Sequence, residues 1–326
     1  MTNPLRGMTA LAIVGALALA GCGSDSSSGS SSSGTVYRIG ITQIVSHPSL
    51  DAAREGFKQA LADAGIEAEY DEQNAQGDQA TATSIASKFA SQDLDLVLAV
   101  ATPTAQAAAQ AIIDTPILFT AVTDPVAADL VDSNETPGGN ITGTTDMNPV
   151  AEQIALVKRL NPDAKTVGIL YSSGEVNSQV QVELAREAAD EQGLTVVEKT
   201  ITTTSEVLQA AQTLDVDAIY VPTDNNVVAG LDTVIQVAED KQIPLIAGET
   251  DSVAKGALIT YGLDYTELGR QTGEMAVKIL TEGADPATLA VESQKTPKLV
   301  INTTAAERMG VTVPQDLLDE ADETVS

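Results

Sequence analysis

The sequence predicts an α/β protein made of two doubly wound, parallel-sheet lobes with a ligand cleft between them. Three observations predict it. Short apolar, β-branched runs alternate with longer helix-period segments that open at capping residues and close near Gly, which is the βαβ signature. Several strand runs, such as Leu94 to Ala101, are almost continuously apolar and so must be covered on both faces, as in a parallel sheet. The rhythm is interrupted once, by the Gly/Pro/Asn/Thr-rich passage Thr136 to Thr145, and then resumes. That passage marks a crossing between two lobes.

The N-terminal segment has Arg6 as its only charge before an uncharged stretch from Gly7 to Cys22, which is short for a membrane-spanning helix and reads as an export signal. Leu19-Ala20-Gly21-Cys22 resembles a lipobox, at which a bacterial lipoprotein is acylated on the cysteine and cleaved just before it. The alternative is a buried thiol at the end of an uncleaved anchor. Residues 1–21 are therefore expected to be a lipoprotein signal peptide and Cys22 the lipidation site. Residues 22–35 form a tether, in which Gly23 to Gly34 are eight Ser, three Gly and one Asp. Such a coil buries nothing and has a reach of roughly 20 Å. The expected location is the extracytoplasmic face of the cell membrane, held by lipid.

The first strand is Tyr37 to Val45, followed by a helix from about Ser49 to Ala64 that Pro48 starts and Gly65 stops. Strand Ile66 to Tyr70, helix Asp78 to Ser91, strand Leu94 to Ala101, helix Pro103 to Ile113 and strand Ile117 to Val122 complete the first series. After the crossing come helix Pro149 to Leu160, strand Thr166 to Tyr171, helix Ser178 to Gln192, strand Leu194 to Thr200, helix Ser205 to Leu214, strand Ala218 to Val221, helix Asn225 to Asp240 and strand Ile243 to Ala247. Strand Ala257 to Tyr261 and helix Tyr265 to Leu280 carry the chain back toward the first lobe. The expected division is 36–146 plus 263–283 for the N-terminal lobe and 147–262 plus 284–326 for the C-terminal lobe.

The composition narrows the function. Across 326 residues, 46 Asp and Glu face 17 Lys and Arg, a formal charge of −29 that would repel a phosphate backbone, so nucleic acid is excluded as a partner. One Cys and one His allow neither a disulfide framework nor a Cys- or His-based metal cluster. The sequence has no Gly-x-Ser-x-Gly elbow, phosphate loop, His-Glu-x-x-His or Gly-x-Gly-x-x-Gly after a strand. The expectation is a protein without catalytic residues, metal or cofactor.

In open α/β sheets, ligands bind beyond the carboxyl ends of the strands. Those ends supply Gln43, Thr102, Thr104, Thr123 and Asp124 in the first lobe and Tyr171, Asn177, Asp224, Asn225 and Glu249 in the second, with Tyr261 ending a later strand and Asp146 at the crossing. Thr102-Pro103-Thr104 opens a helix and can seat a carboxylate on free N–H groups, or can simply be a cap with Pro at N1. Asp224 can pair with a ligand ammonium or cap the helix after it. Tyr171 and Tyr261 can lay a ring on an apolar ligand group or pack within their lobe. Asp146, with Asn148, can instead cap the helix opening at Pro149. His47 reads as a turn residue with its ring at the surface.

Six segments in register carry a family resemblance: Ile39 to Phe57 (IGITQIVSHPSLDAAREGF), Ala101 to Gln106 (ATPTAQ), Ala121 to Val126 (AVTDPV), Pro137 to Gly143 (PGGNITG), Pro222 to Asn226 (PTDNN) and Gly262 to Gly273 (GLDYTELGRQTG). The chain from about Arg38 onward resembles the TrpX/TyrX-type substrate-binding lipoproteins of ABC importers. The resemblance implies a type I periplasmic-binding-protein fold, acting as a monomer, whose lobes close on a small ligand and present it to an ABC permease driven by a cytoplasmic ATPase. It implies a zwitterionic ligand, an amino acid of which some in the family are aromatic. It also implies the ligand carboxylate at Thr102 and Thr104 with Gln43 nearby, and the ammonium at Asp224 assisted by Asn177 and Asp146. With six Tyr, three Phe and no Trp, stacking partners are scarce. A surface sensor or adhesion lipoprotein with the same body is the alternative, and a hydrolase has no nucleophile to rest on.

Overall fold

The structure, a computed structural model, describes residues 35–326. The signal peptide, Cys22 and the tether up to Gly34 lie outside the described residues. The first lobe opens with β1 (Val36–Gln43), α1 (Pro48–Asp63), β2 (Glu67–Asn74), α2 (Gln79–Ala90), β3 (Leu96–Val100), α3 (Thr102–Ala111), β4 (Ile117–Val122) and β5 (Ile141–Thr145). The second is built from α4 (Val150–Leu160), β6 (Thr166–Ser172), α5 (Val176–Glu191), β7 (Thr195–Ile201), α6 (Val207–Gln212), β8 (Ala218–Val221), α7 (Asn225–Ala229), α8 (Leu231–Lys241), β9 (Leu245–Ala247), α9 (Thr250–Lys255) and β10 (Ile259–Gly262). Helix α10 (Tyr265–Glu282) and β11 (Glu292–Ser293) return to the first lobe. Then β12 (Lys298–Asn302), α11 (Thr303–Arg308), α12 (Gln315–Glu320) and β13 (Glu323–Val325) finish the second.

The sheets run β2-β1-β3-β4-β5-β11 and β7-β6-β8-β9-β10-β12-β13. Each lobe buries its own core, mainly Val, Leu, Ile and Ala, because both faces of each parallel sheet carry helices. All three Phe lie in the first core, whereas in the second the buried Tyr220 hydroxyl donates to Gln153 Oε1 at 2.8 Å. A buried phenol needs such a partner.

Four features differ from the sequence reading. Ile141–Thr145, inside the passage read as a crossing, is strand β5; its β-branched Ile and Thr outweigh its Gly, and the chain crosses only after it. The return to the second lobe comes at 294–297 rather than at 284, because Leu289 and Val291 pack on the first core and β11 pairs with β5. The second sheet is not wholly parallel: β10 and β12 are antiparallel. Since β10 leaves its sheet toward the first lobe and β12 enters from there, the two must run in opposite directions. Finally, the helix expected from Asn225 to Asp240 divides at Gly230, where a Cβ would crowd Val207 and Thr204.

Three crossings therefore join the lobes, at 146–149, 263–264 and 294–297, and they are bonded to one another. Leu263 N donates to Asn148 Oδ1 at 3.2 Å. Gln294 Nε2 donates to the Asp264 carbonyl, and Asp264 N donates back to Gln294 Oε1 at 3.3 Å. Helix α10 leaves this seam and packs on α1 so closely that glycine is required at the contact. A Cβ at Gly269 would overlap the Ala53 carbonyl, and one at Gly56 would overlap that of Thr266. This contact fixes the start of α1, which carries His47, Ser49 and Leu50 toward the other lobe. Gly269→Ala should cost about 1–3 kcal/mol by overpacking, read as a lower urea midpoint with unchanged slope. Gly139→Ala, where a Cβ meets nothing within 4 Å, should stay within about 0.5 kcal/mol.

Candidate functional site

The carboxyl ends of the strands in both lobes face one another across a closed cleft. The first lobe contributes His47, Leu50, Ala121, Asp146 and Tyr265 to a small cavity, and the second contributes Asn177, Thr223, Asn225, Val228 and Glu249. The enclosed space is about 10 Å³, room for one water molecule. A neighbouring chamber of about 110 Å³ is lined by Ile44, Gln79 and Pro103 from one side and Ser172, Glu175 and Thr202 from the other. The lobes touch where the Thr123 and Thr223 hydroxyls lie 3.5 Å apart. A small-molecule ligand needs several hundred Å³, so the lobes must part to admit one.

Each wall is placed by local structure. His47 is the extended residue before α1, which Pro48 starts. Ala101 and Ala121 end β3 and β4 with φ of 82° and 57°, a conformation that costs a residue with a Cβ on the order of 1–3 kcal/mol. The first turns the chain into α3 and the second brings Ala121 to the cavity wall. Glu249 sits at the N-cap of α9 and accepts from Ser252 N and Oγ. Asp146 follows β5, accepting from Thr123 Oγ1 at 2.9 Å and from the Tyr265 hydroxyl at 2.5 Å.

Among the described residues no lysine or arginine lines this cavity, yet two carboxylates do. Burial pushes the Asp146 carboxyl up, against hydrogen bonds from Tyr265 and Thr123. Burial and then Asp251 push Glu249 up to about 7. His47 is driven the other way, down to about 4, chiefly by burial. Two residues of this cavity leave a buried polar atom without a protein partner, His47 Nδ1 and Asn177 Oδ1, and Thr102 Oγ1 at the start of α3 is bare as well. Native interiors satisfy nearly all such atoms, so a cluster at one cleft is where a ligand's polar groups belong.

Of the residues expected from the sequence, Asp146, Asn177, Asn225 and Glu249 meet at the cavity. Thr123 supports Asp146, and Thr102 holds a bare buried hydroxyl at the start of α3, just past β3, the strand between β1 and β4. Six are occupied elsewhere. The Gln43 amide is spent on Val45, Asp51 and Arg54 within the first lobe. The Thr104 hydroxyl turns back to the Val100 and Ala101 carbonyls. Asp124 caps a surface turn at Val126 and Ala127.

Asp224 is fully buried, with one oxygen on Val227 N and the other on Ser172 N and Ser178 Oγ, so it caps α7 and has no free face for an ammonium. Tyr171 points along its own sheet to Glu198 at 2.9 Å. Tyr261 binds Glu320 and Arg159 on the outside of the second lobe. Nor does Asn148 cap α4; it bonds Leu263 in the seam. His47 is buried at the cavity and not at the surface.

A two-lobed body with its polar site at the closure is a solute-binding protein. The family model described as ABC transporter substrate binding protein matches residues 38–325, and the chain belongs to this family. Its members are solute-binding proteins rather than enzymes, with the type I periplasmic-binding-protein fold. A tyrosine-binding protein of Clostridioides difficile (strain R20291) is 44% identical over 302 residues, covering 89% of this chain and 87% of that protein. The crystal structure of an ABC domain in complex with L-Trp from Streptococcus pneumonia superposes with a TM-score of 0.86 at 38% identity, covering 89% of this chain and 100% of that one. The ligand-free, open structure of a substrate binding protein with adhesive properties from Clostridium difficile reaches 0.66 at 44% identity, covering 89% and 99%. The more similar sequence gives the poorer superposition, so the lobe arrangement here is nearer that of the Trp complex.

Closure couples to pH through cavity groups of opposite sign. Glu249 shifts from 4.5 to about 7 on burial, so its contribution favours the closed form below pH 4.5 and is lost as pH rises through 7. His47 shifts from 6.5 to about 4, so its contribution favours the closed form above pH 6.5 and is lost as pH falls through 4. Asp146, raised by burial as well, acts in the same direction as Glu249. Variants should expose the two signs in small-angle scattering of the ligand-free protein. Asp146→Asn/Glu249→Gln should expand on acidification from pH 6.5 to 4, and His47→Gln on going from pH 4.5 to 7. A flat radius of gyration in both variants would refute the coupling.

Proposed function

We propose that this substrate-binding protein captures an amino acid, with an aromatic side chain favoured, and delivers it to an ABC permease from a lipid-anchored position outside the cytoplasm. The observation that carries the reading is the pair of carboxylates, Asp146 from one lobe and Glu249 from the other, on a cavity that no described lysine or arginine lines. Closed and empty, the site strands negative charge away from water; a ligand ammonium removes that cost. Because the two acids come from different lobes, the ammonium stabilises the closed form specifically. For the carboxylate, the bare Thr102 hydroxyl at the start of α3 supports a seat there. Leu50, Ala121, Val228 and the Tyr265 ring supply apolar surface for the side chain. The tyrosine-binding relative and the Trp complex support the aromatic class.

Calorimetry of the mature protein with L-tyrosine, L-tryptophan, tyramine and the des-amino acid of tyrosine tests this directly. The intact amino acids should bind and both truncated analogues should lose at least tenfold. Asp146→Asn should weaken L-tyrosine at least tenfold, the value of a charge-assisted hydrogen bond, with a smaller loss of ligand-free stability. Asp224→Asn should do the reverse, destabilising the second lobe by about 1–3 kcal/mol and affecting affinity only through the fold. Binding of tyramine as tight as that of tyrosine would refute the zwitterion reading.

The anchoring rests on Cys22 and the Ser/Gly run after it. Cys22→Ala should move the protein from the membrane fraction to the soluble exported fraction, and an unlipidated N-terminus in the wild type by mass spectrometry would overturn it. A second reading, adhesion by the same tethered body, draws on the adhesive properties of the C. difficile protein. Loss of amino-acid uptake on deleting the gene favours transport over it.

A further inference from the structure

We infer that Glu175 is a positioning residue: it turns the side-chain amide of Asn177 so that the carbonyl oxygen, and not the nitrogen, meets the ligand. The inference rests on the reading of the ligand as ammonium-bearing. Glu175 is 4% exposed and sits at the start of α5, where its side chain makes no capping bond to that helix. All of its partners are asparagines. Oε2 accepts from Asn177 Nδ2 at 3.0 Å, from Asn225 Nδ2 at 2.6 Å and from Asn225 N at 3.1 Å, and Oε1 accepts from Asn226 Nδ2 at 3.0 Å.

The chemistry leaves one orientation. A side-chain amide offers two donors on nitrogen and an acceptor on oxygen, whereas an ionised carboxylate only accepts. Facing Glu175, each amide must present nitrogen, so its oxygen turns away. For Asn177 the orientation is doubly fixed, since Nδ2 also donates to the Thr223 carbonyl at 3.0 Å. Asn177 Oδ1 is consequently buried without a partner on a residue that lines the cavity shared with Asp146 and Glu249. An ammonium carries three N–H donors and no acceptor, and three acceptors from two lobes suit it. Rotated by 180°, the amide would set a donor against a cation.

A carboxylate at this position is costly. Burial and the neighbouring Asp224 push the Glu175 carboxyl up to about 8. A proton taken up there belongs on Oε1, because Oε2 already accepts three N–H groups, so the oxygen facing Asn177 is an acceptor in either state.

The test compares the mature wild type with Glu175→Met and with the charge-conserving double variant Glu175→Met/Asn177→Asp. The methionine keeps a similar volume and removes both acceptors, so the Asn177 amide is left with the Thr223 carbonyl alone and its orientation loosens. Affinity for L-tyrosine should fall tenfold or more in the single variant, while the double variant, whose aspartate accepts on either face, should recover to within about threefold. A readout independent of ligand is hydrogen exchange of the Asn177 side-chain amide by ¹⁵N NMR. Exchange should be slow in the wild type and accelerated in Glu175→Met. Unchanged affinity in the single variant, unchanged exchange, or a loss matched by ligand-free destabilisation and not rescued in the double variant would each overturn the inference. A wild type that binds no amino acid, with exchange accelerated as expected, would instead refute the ligand assignment and leave the positioning role standing.

Discussion

The constraint on which the rest depends is the cost of removing carboxylates from water without a counter-charge. Closing the cleft does this to Asp146 and Glu249 together, and the Tyr265 and Ser252 hydroxyls offset only part of it. Such a site favours the closed form weakly when empty and strongly when a cation completes it. The energy that drives closure is therefore located at the ligand, as a solute receptor requires. A hydrophobic interface of the same size would close on nothing.

That logic works only if the two acids travel with different bodies, and the topology ensures it. Asp146 stands at the first crossing, anchored through Tyr265 to the first residue of α10, and α10 is locked to α1 by the Gly56 and Gly269 contacts. Glu249 belongs to the loop between β9 and α9, two elements that never leave the second lobe. Between them the seam of Asn148, Asp264 and Gln294 joins backbone to side chain across all three crossings.

Much of the fold was legible, because continuous apolar strand runs and capped amphipathic helices are local signals. The antiparallel β12 was not, since its direction follows from where the chain has come from. The strand-end rule pointed to Asn177, Asn225 and Glu249, which line the cavity together with Asp146, read from its place at the crossing. It failed at Tyr171 and Tyr261, where successive side chains point to opposite faces and the last residue of a strand can aim away from the cleft. For Asp224 the choice between cap and ligand partner turned on whether one oxygen remained free, and Ser172 N and Ser178 Oγ, far off in sequence, decide it. Glu175 was hidden among 46 acidic residues. Its one local mark is its place after Ser172-Ser173-Gly174 and two residues before an asparagine.

The shortage of aromatic residues counts less against an aromatic ligand than the composition suggests. Among the described residues, Tyr265 and the His47 imidazole lend rings to the cavity, and the rest of its apolar wall is Leu50, Ala121 and Val228. Aliphatic groups bury a ring at about 25 cal/mol per Å² as effectively as another ring does, without the smaller directional gain of stacking. Discrimination then divides unequally between the ends of the ligand. A missing ammonium leaves two buried carboxylates unpaired, a loss of several kcal/mol, whereas one methylene more or less in an aliphatic pocket changes binding by only about 1–3 kcal/mol. A site built in this way is strict about the charged ends of an amino acid and tolerant among large apolar side chains, which is consistent with one relative being a tyrosine-binding protein and another binding L-Trp.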